Sequence, residues 1–122
     1  MRAATRRILL VEDEPTTREV LTAILRGEGY EVDSVASTGA ATTCLQSIPY
    51  ELVIADWVLP DGDGTDVADS AAQIGCKTMI ITGSVSDLPT GAADRHDVFG
   101  KPVSRAVLIG AVRGAIGEPN KN

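Results

Sequence analysis

Short runs rich in Val, Ile and Leu alternate along this chain with longer stretches in which apolar residues recur at helical spacing. ILLV (8–11), EVDSV (31–35), LVIA (52–55), TMIIT (78–82) and DVF (97–99) predict strands. Helices are expected near 15–28, 39–48, 65–74, 86–94 and 104–116. In the first, Pro15 stands at the opening turn, and Val20, Leu21, Ile24 and Leu25 make one apolar face. Gly27 and Gly29 then offer a stop. The fourth helix is the weakest, because SVSDLPTGAADR contains Pro89 and Gly91, both poor helix formers. The ends, MRAATR and GEPNKN, read as polar tails.

Strand followed by helix, repeated along the chain, predicts an α/β fold: a doubly wound five-stranded parallel sheet flanked by helices on both faces. Residues 1–122 are expected to form a single domain with its core at about 7–116, and a chain of this length buries roughly two-thirds of its unfolded surface. In such sheets ligands collect outside the carboxyl ends of the strands. Polar residues gather at those ends here. Strand one runs into Glu12-Asp13, strand three into Asp56, strand four into Thr82-Gly83-Ser84, and strand five into Lys101-Pro102.

Composition narrows the class further. Aromatics are scarce, at one Trp, two Tyr and one Phe, so Val, Ile, Leu and Ala must fill the core. Seventeen acidic against eleven basic residues give a net charge of −6. This argues against direct nucleic-acid binding, which needs a basic face to neutralise phosphates. Cys44 and Cys76 do not form a CxxC pair, and both are expected to be small buried apolar residues in a reducing cytoplasm. No apolar run is long enough to span a membrane, and no membrane partner is expected.

The cluster of acids carries the chemistry. Two carboxylates about 4 Å apart repel by on the order of 4 kcal/mol at an effective dielectric near 20. A fold retains such a group when a hard divalent cation neutralises it. Oxygen donors with room for water, and no His or Cys nearby in sequence, suit Mg²⁺. A metal beside Asp56 would brace an incoming phosphoryl group, whose transfer depends on positioning and charge neutralisation. Asp56 would be the nucleophile, Thr82 a hydroxyl donor and Lys101 a point charge on a phosphoryl oxygen.

These residues, in this order, resemble a receiver domain of a two-component response regulator. VEDEP (11–15) is similar to the family's acidic pair after strand one. Asp56 through Leu59-Pro60 to Asp63-Gly64 is similar to its phosphoacceptor loop, and Thr82 and Lys101-Pro102 match its other site positions. The resemblance covers about residues 7 to 116. It implies a sensor histidine kinase or histidine phosphotransfer protein as donor, Asp56 as acceptor, and a downstream effector reached by protein contact. It also implies Mg²⁺ held by Asp13, Asp56 and the carbonyl of Val58, with Glu12 acting through water, and a cis peptide before Pro102. The domain would assist its own phosphorylation and hydrolysis without being a metabolic enzyme.

Two departures bear on output. Val98 stands where the family usually carries Tyr or Phe, and Phe99, one residue on, should point to the opposite face. The interval from Thr82 to Lys101 is also short, with Gly83 after Thr82, and the 84–94 segment becomes the candidate moving part. Among alternatives, an aspartate-nucleophile phosphatase wants a second acid two residues after the nucleophile, where Val58 stands. A pseudo-receiver binding module would not need the full acid, Thr and Lys set. Asp61 and Asp63 are expected to shape the Pro-Gly turn, His96 to be a surface or loop residue, and Trp57 to plug the core.

Overall fold

The computed structural model describes residues 6–89 and 91–119. Five parallel strands form one sheet in the order β2-β1-β3-β6-β7. They are β1 (Arg7–Val11), β2 (Glu31–Val35), β3 (Leu52–Asp56), β6 (Lys77–Thr82) and β7 (Asp97–Gly100). A two-residue antiparallel ladder, β4 (Val58–Leu59) with β5 (Gly62–Asp63), follows β3 and frames the expected Pro-Gly turn. The helices are α1 (Pro15–Gly27), α2 (Thr38–Ser47), α3 (Gly64–Gln73), α4 (Ala92–Arg95) and α5 (Arg105–Ile116). The predicted α/β architecture is therefore the observed one.

Period-two alternation sorts the central strands onto two cores. Ile8, Leu10, Leu52, Ile54, Met79 and Ile81 face Leu21 and Leu25 of α1 and Leu108 and Val112 of α5. Leu9, Val11, Val53 and Ala55 face Ala41 of α2 and Val67 and Ala71 of α3. Small side chains, Ala41 and Ala71, line the helix side of this second core, and Tyr50 is buried within it. Leu25 is fully buried, and its truncation to Ala would cost about 2–5 kcal/mol.

Helix starts follow the local chemistry. Glu14 caps α1 by accepting from the backbone N–H groups of Thr16 and Thr17, while Ser37 caps α2 and Ser104 caps α5. The weak fourth helix is split, as Pro89 and Gly91 foretold: a 3₁₀ turn at Val85–Asp87 and one short turn, α4. The predicted tails are partly built into the fold instead. Arg6 pairs with Glu51 at 3.1 Å. At the other end the Tyr30 hydroxyl donates to the Gly117 carbonyl at 2.7 Å, and Pro119 is buried beside Gly29. Residues 1–5 and 120–122 of those tails lie outside the described residues.

Candidate functional site

Strand register brings the polar residues together. Val11 is paired with Ala55, so Glu12 and Asp13 leave β1 beside Asp56, the last residue of β3. Asp56 is paired with Ile81, and Thr82 with Gly100, which puts Thr82 and Lys101 at the same edge. Lys101 Nζ lies 2.8 Å from Glu12 Oε1 and 3.1 Å from Asp56 Oδ2. Carboxylate oxygens of Glu12, Asp13 and Asp56 all lie within 4.8 Å of one another. This all-oxygen set fits a hard divalent cation such as Mg²⁺.

Burial differs sharply within the group. Glu12 is 2 % exposed, and burial pushes its carboxyl above the ordinary value, a tendency that the ammonium of Lys101 and the N–H of Glu14 oppose. Asp13 is exposed. Burial also pulls on Lys101, but its hydrogen bonds to Glu12 and Asp56 prevail and hold its ammonium above the usual range. Thr82 is buried; its hydroxyl oxygen accepts the Ser84 N–H at 3.0 Å and keeps its own proton to donate. The Thr82 carbonyl accepts the Lys101 N–H at 2.8 Å, and the Lys101–Pro102 peptide is cis, as the resemblance implied. Val58, expected to offer its carbonyl, has an exposed side chain, so any part it plays comes from its backbone.

The loop after Asp56 closes through a glycine. Gly64 N–H donates to the Trp57 carbonyl at 2.7 Å, and a Cβ on Gly64 would stand 1.9 Å from the Asp56 carbonyl oxygen. No larger residue fits without moving the Asp56 backbone. Asp63 caps α3, accepting from the N–H and hydroxyl of Thr65 at 2.8 and 2.7 Å. Asp61 does something the turn reading missed: it accepts from the N–H groups of Thr38 and Gly39, across the fold at the start of α2. Those two bonds hold its carboxyl below the usual range.

Three further expectations are corrected. His96 is no surface residue but is 4 % exposed, with Nδ1 at the Thr78 hydroxyl and Nε2 2.6 Å from Asp69. That histidine, then Arg95, holds the Asp69 carboxyl below its usual range. The three residues of this tie lie 18 and 27 positions apart in sequence, so no local pattern announces it. Trp57 is half-buried and belongs to neither core, because β3 ends one residue before it. Cys44 is only half-buried, whereas Cys76 is buried as expected and its thiol is pushed up by burial. Phe99 does pack into the α1/α5 core.

Fold and site together define a doubly wound α/β domain with an acid–lysine cluster at the carboxyl edge of its sheet. The family model of the response regulator receiver domain matches residues 8–113. The chain belongs to that family, and is thus a receiver of two-component signalling. It is 34% identical over 112 residues to the response regulator receiver protein CpdR of Brucella abortus, covering 88% of this chain and 93% of that protein. It is 32% identical over 114 residues to the DNA-binding response regulator MtrA of Mycolicibacterium smegmatis, where 88% of this chain corresponds to 49% of the relative. The chain thus spans about half the length of MtrA. Among solved structures, response regulator TrrA of Thermotoga maritima in complex with Mg²⁺-BeF superposes with a TM-score of 0.79 at 31% identity, covering 91% of this chain and 99% of that one. A receiver domain from Methylobacillus flagellatus, at 24% identity, shares the fold with a TM-score of 0.83 over 92% of this chain and 99% of its own. Among the described residues no helix is long and apolar enough to cross a membrane.

Proposed function

We propose that Asp56 accepts a phosphoryl group from a phosphohistidine of a sensor histidine kinase or histidine phosphotransfer protein. The observation that carries this reading is the convergence of Lys101 Nζ on Glu12 and Asp56, within an acidic trio whose oxygens lie inside 4.8 Å. An Asp56 carboxylate oxygen attacks phosphorus, the phosphorus–nitrogen bond breaks, and the donor imidazole departs with the bonding pair. The product is an acyl phosphate on Asp56. Thr82 donates its hydroxyl to a phosphoryl oxygen, and Lys101 balances another. Asp13, Asp56 and the carbonyl of Val58 would hold Mg²⁺, with Glu12 acting through water, and the bound ion would supply charge neutralisation for the transfer.

Asp56 has a side chain 11 % exposed, so the donor must reach a recessed atom. Beside Lys101 runs an open groove of about 470 Å³ whose walls include Val20, Leu21 and Val103, which suits a protein donor. Output is by contact with a downstream effector protein, with no direct nucleic-acid binding by this chain and a cytoplasmic setting. Val58 stands where a phosphatase would carry its general acid, which disfavours that chemistry. The test is intact-mass measurement with acetyl phosphate. One phosphoryl group should add in the presence of Mg²⁺, and none after chelation or in Asp56→Asn. Equal labelling of Asp56→Asn would remove the assignment.

A further inference from the structure

Asp13 makes no side-chain hydrogen bond among the described residues, yet it is one of the three acids that must converge. Its place is decided by its backbone. Glu12 N–H donates to the Val35 carbonyl at 3.0 Å, and Glu12 Oε2 accepts the Glu14 N–H at 3.1 Å. The carbonyls of Glu12 and Asp13 themselves are held by one side chain. Arg18, one turn into α1, donates from the same nitrogen to the Glu12 oxygen at 2.9 Å and the Asp13 oxygen at 3.3 Å. A guanidinium offers donors in a fixed plane, so gripping adjacent carbonyls restricts the twist of the peptide between them.

We propose that Arg18 is a positioning residue for the cation site: by holding the carbonyls of Glu12 and Asp13 it keeps the Asp13 carboxylate turned toward Asp56. The inference rests on the reading of Asp13 and Asp56 as Mg²⁺ ligands. Charge alone predicts the opposite effect, because a guanidinium beside a cation site repels the cation, and its removal would tighten binding. Positioning predicts that removal weakens binding. Residues that orient metal ligands from outside the coordination sphere typically change affinity by about 10–100-fold when replaced. The sign of the change therefore separates the two effects.

Arg26 supplies a matched control. It lies on the same helix and also donates to a backbone carbonyl, that of Val32 at 2.7 Å, but it makes no bond to the acid loop. The experiment is a magnesium chloride titration followed through the backbone amide resonances of residues 12–14 and 56–58. It compares wild type, Arg18→Met, Arg18→Lys and Arg26→Met, with amide exchange measured on the same metal-free proteins. Arg18→Met should weaken Mg²⁺ binding about tenfold and speed exchange of the Glu14 amide, Arg18→Lys should recover part of both, and Arg26→Met should change neither. If Arg18→Met does not fold, Arg18→Lys is read on the same scale, with weaker binding still required. Unchanged or tighter binding in the Arg18 variants, equal weakening in Arg26→Met, or an unaltered Glu14 amide would overturn the role of Arg18. Failure of wild type itself to respond to Mg²⁺ would instead overturn the cation reading and the proposal with it.

Discussion

Two polar clusters sit at opposite ends of the same sheet and are built on opposite terms. At the carboxyl edge, Glu12 and Asp56 share one ammonium, that of Lys101, and Asp13 beside them has no side-chain partner among the described residues. At the other end, His96 fits between Thr78 of β6 and Asp69 of α3, and Arg95 adds a second bond to Asp69 at 3.0 Å. Every polar atom of the imidazole is used. In the neutral ring Nε2 carries the proton toward the carboxylate, and Nδ1 accepts from the Thr78 hydroxyl. In the second cluster the one carboxylate, Asp69, is matched by the Arg95 guanidinium and the His96 ring. The first sets three carboxylates against one ammonium, with Asp13 exposed to solvent. What separates the two clusters is charge balance, not burial, because Glu12 and Asp56 are less exposed than Asp69 and Arg95.

The largest effect that can break this comparison is on stability. His96→Ala would strand the buried Thr78 hydroxyl and loosen Asp69, at a cost of about 2–3 kcal/mol, while leaving phosphoryl labelling of the folded protein intact. Urea unfolding and intact mass on the same variant measure both. A loss of labelling without loss of stability would make His96 part of the functional machinery. Asp13→Asn should move the other way, raising metal-free stability by about 0.5–1 kcal/mol by relieving repulsion while weakening Mg²⁺ binding. Lower metal-free stability in that variant would mean that Asp13 is structurally engaged.

A smaller effect, opposite in sign at the two ends, is expected from pH. Asp69 has its folded pKa depressed, so it contributes stability above its ordinary value of 3.8 that is lost as pH falls through the lower folded value. Glu12 has its folded pKa raised above 4.5, so without metal the folded state binds more protons there, and stability falls as pH rises through that window. Asp69→Asn should flatten the acid limb of the stability curve, and Glu12→Gln the decline above 4.5. If both replacements altered the same limb, the two clusters would not differ as described.

The smallest effect concerns motion between them. The segment from Gly83 to Pro89 is largely exposed and tied at one end through the Ser84–Thr82 bond, whereas α4 ends at the His96–Asp69 tie. Beryllofluoride with Mg²⁺ should therefore change amide exchange at 83–89 and leave 92–96 as it was. Equal change in both stretches would show that the tie does not confine the response.

Much of this molecule was legible before any fold was known, for local reasons. Period-two apolar runs, the Pro15 helix start, and the helix-breaking Pro89 and Gly91 act within a few residues of where they stand. Strand–helix alternation then confines the polar strand ends to one edge, so Glu12, Asp13, Asp56, Thr82 and Lys101 could be grouped in advance. Contacts between distant segments had no such signature. His96 became a buried strut only because β7 joins the sheet beside β6 and carries it to Asp69. Asp61 became a second cap, beside Ser37, for a helix begun 23 residues earlier, and the Gly117–Pro119 end was tied down by the Tyr30 hydroxyl and packed against Gly29. Arg18 has the ordinary look of a surface helix residue until its two carbonyl partners are placed. Propensity and patterning determine which elements form and where their ends fall. Which polar side chain finds which partner across the fold is decided by packing, because only the assembled register sets those distances.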